Sequence, residues 1–174
     1  MADNFAADEE IAHVTHRAAA IAAATPAGII VSRDATGLAF EMPVDGDSVL
    51  TGLASAVHAA LGFGNVHGQT MRVRRYAAGN SHPAHCDVFE IDGAFLVATT
   101  IIYLDDADGG ETYFPHAALS IEARRGRLAV WYNYREDGSE DESARHAGLA
   151  VRSGCKTTIT SFVYNDIAVC GSSH

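Results

Sequence analysis

Tyr76-Ala-Ala-Gly-Asn-Ser-His-Pro-Ala-His85-Cys-Asp87 holds the pair of residues on which the rest of the chain can be hung. His85 and Asp87 stand one residue apart. In a β-strand, positions i and i+2 point to the same face, so this spacing predicts an imidazole nitrogen and a carboxylate oxygen side by side, able to bind one metal ion. Cys86 then points to the opposite face and is not read as a ligand. His82 reads as a loop residue ahead of Pro83.

Outward from this pair, the texture is that of strands. Residues 69–76 precede it, and 94–104 follow as a long apolar run rich in Thr, Ile and Val. Further strands are predicted over 111–114, 119–123, 127–133, 145–152 and 156–165, separated by turns such as Asp105-Asp-Ala-Asp-Gly-Gly110 and Arg124-Arg-Gly126. Counting the His85/Asp87 segment, about eight strands follow one another without a long helix between them. That order implies a mainly β fold: a jelly-roll, cupin-like barrel, that is, a double-stranded β-helix.

Ahead of the strands, acidic residues at Asp8, Glu9 and Glu10 and the stripe Ile11, Val14, Ala18, Ile21 predict a helix from 8 to 24, stopped by Pro26. A hairpin is expected over 28–32 and 38–42. A second helix, capped by Asp47 or Ser48, runs to 61, with Gly62 as terminator. The barrel therefore has about two flanking N-terminal helices, and residues 1–7 read as a frayed tail. His13, His16 and His58 read as surface or structural. The organisation expected is one domain: 1–66 a helical and hairpin support region, 67–169 the jelly-roll core, 170–174 a tail.

Composition narrows the function classes. The 174 residues suit a single core. A formal charge of −10 disfavours nucleic acid and anionic membrane as partners. No apolar run is long enough to span a bilayer, and the first residues lack a signal-peptide pattern. Three cysteines, Cys86, Cys155 and Cys170, form no disulfide framework or zinc motif, which points to a reducing cytoplasm. Nothing fixes the oligomeric state.

A third metal ligand is expected from a late strand. His116, His146 and His174 are the candidates; His146 opens a strand that in a jelly roll lies antiparallel beside the one carrying His85, so it is favoured. Two histidines and one carboxylate on one face, with the other positions open, form the preferred site of non-haem Fe(II) oxygenases.

From Tyr76 to Asn165 the chain resembles the catalytic domain of the prolyl 4-hydroxylase family of Fe(II)/2-oxoglutarate (2OG) dioxygenases. The motifs stand in the family's order: Tyr76 and Gly79 before His85-Cys-Asp87; Ile101-Ile-Tyr103-Leu-Asp-Asp leading to Gly109-Gly110-Glu-Thr112-Tyr-Phe-Pro; Arg125-Gly-Arg-Leu-Ala-Val-Trp131-Tyr-Asn133; and Arg145-His146-Ala-Gly before Ser153-Gly-Cys-Lys156. The resemblance implies Fe(II) on His85, Asp87 and His146, with 2OG, O2 and ascorbate as the accompanying small molecules. It implies that Lys156 binds the far carboxylate of 2OG with help from Tyr103, with Tyr76, Thr99 and Phe162 around the same cosubstrate. Phe162 stands where the family commonly has tryptophan, which touches the shape of the pocket.

The activity so implied is hydroxylation of an unactivated C–H bond of a prolyl or other amino-acid residue in a peptide or protein, releasing succinate and CO2. A free amino-acid or small-molecule hydroxylase of the same cofactor class is the alternative. A non-catalytic cupin-like sensor is the alternative of a different class, but a cupin metal site has no need of Lys156. The period of two also puts Arg72 and Arg74 on the barrel face of Tyr76. Arg74 then has three readings open to it: turned outward by a bulge, paired with a carboxylate such as Glu111, or bound to a carboxylate of the substrate.

Overall fold

Alternating apolar and polar residues, broken by glycine turns, shape the chain into two facing sheets. In the computed structural model the described residues are 1–24, 30–34, 36–62, 70–91 and 93–165. In chain order they form α1 (Asp8–Ala24), β1 (Ile30–Asp34), β2 (Gly37–Pro43), α2 (Ser48–Leu61), β3 (Thr70–Ala77), β4 (His82–His85), β5 (Glu90–Ile91), β6 (Ala94–Tyr103) and β7 (Asp108–Gly109). Then follow β8 (Thr112–Phe114), β9 (Leu119–Ile121), β10 (Leu128–Tyr132), β11 (His146–Gly148), β12 (Val151–Ser153) and β13 (Cys155–Tyr164). The expected barrel with two N-terminal helices is the observed architecture. Pro26, the first residues of the first hairpin strand, the 66/67 boundary, Cys170, His174 and the tail lie outside the described residues.

The larger sheet runs β1-β2-β3-β13-β6-β10, with β5 on β6, and the smaller one β4-β11-β8-β9. The large sheet is buried on both faces, and its strands divide their residues accordingly. On one face Met71, Val73, Ile102 and Ile159 pack with Phe40 and Met42 against Ile11, Val14 and Ala18 of α1 and Leu50, Leu53 and Val57 of α2. Fully burying a side chain of this size is worth about 1.5–3 kcal/mol, so the helices are held as part of the same core rather than as a separate unit. On the other face Tyr103, Ala129 and Trp131 meet Phe114, Ile121 and Ala144. This inner core fills one end of the space between the sheets.

Asp47 shows how few contacts lock the two helices. Its Oδ1 accepts from the backbone N–H of Val49 and Leu50, capping α2. Its Oδ2 meets His13 Nε2 at 2.8 Å and Arg17 Nη1 at 3.0 Å, both on α1. Burial alone raises the Asp47 carboxyl, but the His13 and Leu50 hydrogen bonds overcome that and hold it below its usual range.

Two expectations are corrected. Residues 1–7 are not a frayed tail: Ala2 and Leu128 exchange N–H···O bonds of 2.9 and 2.8 Å, and Phe5 N donates to Gly126 O. β10 ends the sheet, so its outer edge has backbone groups without a strand partner; the N-terminal segment covers them, and Asp3 neutralises the buried Arg127. The strand expected over 145–152 is divided: β11 pairs with β4 and β8, whereas β12 pairs with β7. The pairing shifts between His146 and Gly148, and Gly148 has room for the backbone turn where a Cβ would stand 3.3 Å from His82 Cβ.

Candidate active site

The two sheets supply opposite walls of a cavity of about 190 Å3. Arg72, Arg74 and Tyr76 come from β3, Lys156, Thr158, Thr160 and Phe162 from β13, and Thr99 and Ile101 from β6. His82 and His85 of β4, Thr112 of β8 and His146 and Gly148 of β11 face them. The period of two explains the large-sheet wall: residues one position off these pack toward the helices instead.

In this cavity His85, Asp87 and His146 bring one ligand atom each to within 4.8 Å of one another. Strand pairing makes this possible, because His146 lies directly across from His85 in the β11–β4 ladder. One detail differs from the strand argument: β4 ends at His85, and Asp87 lies beyond it. The chain leaves the sheet there, yet Asp87 turns back, with Oδ1 at 3.4 Å from His85 Nε2 and Oδ2 at 3.8 Å from His146 Nε2. With metal bonds of roughly 2.1 Å, adjacent ligand atoms stand roughly 3 Å apart, so the observed spacing suits one ion.

The side chains are also presented in the right form. His85 Nδ1 donates to Pro83 O at 2.9 Å and His146 Nδ1 to Ala144 O at 3.0 Å. A carbonyl can only accept, so each ring carries a proton on Nδ1 and turns Nε2 toward Asp87, where a metal would be bound. Burial would raise the Asp87 carboxyl, but the hydrogen bonds from His85 and Thr99 bring it below its usual range, and the same Asp87 contact overcomes burial to raise the His85 imidazole. Asp87 is thus a carboxylate. Burial holds the His146 imidazole below its ordinary pKa, which keeps it neutral. The residues fit Fe(II) with open positions on the cavity side.

Thr99, expected beside the cosubstrate, lines the cavity and also bonds to Asp87. Its Oγ1 donates to Asp87 Oδ2 at 2.8 Å and accepts from Asn133 Nδ2 at 3.1 Å. It is a strut for the metal ligand, and Asn133, which no sequence argument singled out, holds the strut. A Thr99→Val variant keeps the volume and loses the hydroxyl. Partners of this kind are worth about ten- to a hundredfold in metal affinity, so anaerobic Fe(II) titration of the variant is expected to show a loss in that range.

Lys156 is buried, 3% exposed, and its Nζ donates to Gly110 O at 2.7 Å. Its ammonium lies 4.8 Å from the ring centre of Tyr76. Burial pushes its pKa down to about 8, Glu111 opposing and Arg74 adding to the shift. Tyr76 lines the same wall; burial pushes its phenol up to about 12, so it remains a donor. Tyr103 is set behind the lining residues, with the Lys156 ammonium 5.6 Å from its ring centre. Its hydroxyl is 2.6 Å from Thr112 Oγ1, and Thr112 is the group that reaches the space beside Lys156. Phe162 faces the cavity with Arg72 stacked 5.0 Å above its ring.

Gly110 was missing from the sequence-based site. It has φ +69°, and a Cβ there would sit 3.1 Å from Lys156 Cδ and 3.0 Å from Val151 Cγ2. Gly110→Ala is therefore expected to destabilise the protein by about 1–2 kcal/mol for the left-handed backbone, and to displace the lysine. Thermal melts and the 2OG Michaelis constant check both parts.

Other sequence candidates fall elsewhere. His116 is exposed in the turn after β8. Two further cations near the last strands also lie outside the cavity lining: Arg152 pairs with Asp108 and Glu111, and Arg145 donates to Ala84 O. His82, read as a loop residue, does line it, with its ring 4.4 Å from that of His85. Arg74 lies on the inner face, and Thr36, not Glu111, is its partner.

Comparison with known proteins bears on the same stretch. The family model described as "2OG-Fe(II) oxygenase superfamily" matches residues 71–164, just over half of the chain. The chain belongs to the 2OG-Fe(II) oxygenase superfamily. All three triad residues and Lys156 lie within the matched segment of this oxygenase. Probable prolyl 4-hydroxylase 11 of Arabidopsis thaliana is 34% identical over 88 residues, covering 46% of this chain and 30% of that protein. Prolyl 4-hydroxylase subunit alpha-1 of Homo sapiens is 32% identical over 98 residues, covering 51% and 18%. The oxygenase thus spans less than half the length of these curated relatives. Its fold is that of the viral collagen prolyl hydroxylase of Paramecium Bursaria Chlorella virus-1 in its 2OG complex, with TM-score 0.76 and 20% identity over 95% of this chain and 94% of that one.

Proposed function

We propose that the protein is an Fe(II)- and 2OG-dependent dioxygenase that hydroxylates prolyl residues in a peptide or protein. The observation that carries this is the placement of Lys156 in the same cavity as the His85–Asp87–His146 cluster. Among the described residues the buried ammonium bonds to a carbonyl and lies against the rings of Tyr76 and Tyr103, with Glu111 acting on it only from beyond ion-pair distance, a costly arrangement unless an anion joins it. A metal site beside a buried cation fits a dicarboxylate that chelates the metal at one end and pairs with the lysine at the other. This is the feature a non-catalytic cupin-like binder has no use for.

Fe(II), 2OG and O2 together supply the oxidant for the C–H bond, 2OG leaving as succinate and CO2. The chain's own residues do the rest. His85, Asp87 and His146 hold the metal from one side. Lys156, with Thr112 and Tyr76 around it, fixes the cosubstrate. Trp131 and Phe114 pack against the His146 ring at 4.6 and 5.6 Å and exclude water from its far side. Ascorbate belongs to the proposal as an accessory reductant. Cys86 and Cys155 are free thiols, which suits a reducing, cytoplasmic setting; no described helix is long and apolar enough to cross a membrane.

The choice of proline rests on the prolyl 4-hydroxylase relatives. The test is succinate release from 2OG, coupled to a mass gain of one oxygen in the peptide, across proline-containing peptides and free amino acids. Coupled turnover with prolyl peptides alone is the expected result. Turnover confined to free amino acids, or none with any probe, would sink the reading.

A further inference from the structure

Among the described residues that line the cavity, Lys156 and Arg74 are the cations with no carboxylate in contact, and Lys156 is already assigned to 2OG. Arg72, two positions earlier, gives its Nε to Glu41 Oε1 at 2.6 Å and lies flat over Phe162. Asp87 faces the histidines. Arg74 donates from Nη1 alone, to the neutral oxygens Thr36 O at 3.3 Å and Oγ1 at 3.1 Å. Those bonds hold the side chain in place without neutralising it. The opposite edge of the guanidinium, Nε and Nη2, has no acceptor among the described residues. That edge is the fork that matches a carboxylate with two parallel bonds.

The formal charges of the site lead to the same place. Arg72 and Glu41 cancel. Asp87 leaves Fe(II) with one positive charge, and the dianion 2OG turns the sum to one negative, which Lys156 cancels. Arg74 is left over, half-buried, where solvent screens a charge less well than on an open surface. The whole chain is acidic, at −10, so a general attraction for anions does not account for this cation; it is a local provision of the cavity wall.

We infer that Arg74 is the receptor for a carboxylate on the substrate, held within about one residue of the carbon that is hydroxylated. Resting on the hydroxylase reading above, this makes the substrate class an acidic prolyl segment. The carboxylate comes either from the C-terminus of the proline itself or from the side chain of an adjacent Asp or Glu. Both present the same planar anion, and the cavity of about 190 Å3 that Arg74 shares with His85, Asp87 and His146 keeps that anion close to the reacting carbon; Arg74 lies 6.0 Å from the ring of Tyr76, which in turn adjoins Lys156.

The test uses the full chain loaded anaerobically with Mn(II) and 2OG, so that binding is read without turnover. Two pairs of blocked peptides are titrated calorimetrically: acetyl-Ala-Pro as free acid and as amide, and acetyl-Asp-Pro-Ala-amide beside its Asn counterpart. The wild-type protein is expected to prefer the acid in one pair by about ten- to a hundredfold, the range of a charge-assisted bidentate bond. Preference in the first pair assigns a terminal carboxylate, and in the second a side chain. Arg74→Gln should erase that preference, and Arg74→Lys should recover only part of it. No preference in either pair, no binding of any peptide, or a preference that survives in Arg74→Gln overturns the inference. So does a loss of 2OG affinity in Arg74→Gln as large as the loss for the acid, since Arg74 would then serve the cosubstrate. Succinate release under air separates the two readings. Release promoted equally by acid and amide leaves the hydroxylase standing without this inference. No release with any peptide, despite a clear acid preference in binding, removes the hydroxylase reading instead.

Discussion

Alanine in place of His146 is expected to abolish Fe(II) binding and 2OG-dependent turnover while the barrel still unfolds cooperatively. The ligand atom lost is Nε2, held ready by the bond from Nδ1 to Ala144 O. Even partners one bond removed from a metal are worth about ten- to a hundredfold in affinity, so loss of a ligand itself should exceed a hundredfold. The substitution also removes a buried ring between Phe114 and Trp131, so some stability goes with it. Asp87→Asn separates the two effects, because it keeps the volume and removes the charge. Anaerobic Fe(II) titration beside thermal melts reads both. An unchanged affinity in His146→Ala would mean that the metal sits elsewhere. His116→Ala serves as the control, and in its exposed turn should leave affinity unaltered.

Lys156→Met is expected to remove 2OG binding and, unusually for a buried site, to stabilise the empty protein at neutral pH. A folded-state pKa of about 8 against an ordinary 10.5 means that the charged form is disfavoured by burial. The difference corresponds to a penalty of about 3 kcal/mol below pH 8. The sign follows from proton counting: between about 8 and 10.5 the unfolded chain holds the proton and the folded one does not. Stability of the empty wild-type protein should therefore rise with pH through that window. Methionine removes the penalty at pH 7, partly offset by the lost bond to Gly110 O. Melting curves from pH 7 to 10.5, with and without 2OG, check the prediction. A variant less stable than wild type at pH 7 in the absence of 2OG would show that the lysine is not under strain.

The same group sets a pH dependence on activity. 2OG needs the ammonium form, so its Michaelis constant should be level below pH 8 and climb by up to about tenfold per pH unit above it. A constant that stays flat through pH 9.5 would assign the far carboxylate to a cation that does not titrate; of the two arginines on the same wall, Arg74 is the one not paired with a carboxylate among the described residues.

Local sequence determined a good deal of this protein. The acidic first turn and apolar stripe of α1, the Asp47 cap and Gly62 stop of α2, and the division of β3 and β13 into two faces are consequences of one element's own residues, and each is found where its pattern puts it. The period of two sufficed to bring Lys156, Tyr76 and Arg74 to the same wall. Tertiary structure decided what depends on partners far along the chain. That His146 rather than His116 meets His85 is a matter of which strand lies across from β4. Asp87 does not keep the strand geometry its spacing suggests; it reaches the site because Thr99, within β6, and Asn133, just past the end of β10, hold it there. Thr112 rather than Tyr103 lines the cavity, and the first residues cover the edge of β10, because a hydroxyl and a row of backbone polar groups each found a hydrogen-bond partner after packing. A side chain's direction follows from backbone periodicity, which is local. Its hydrogen-bond partner follows from which elements pack together, and that is settled only when the whole core is buried.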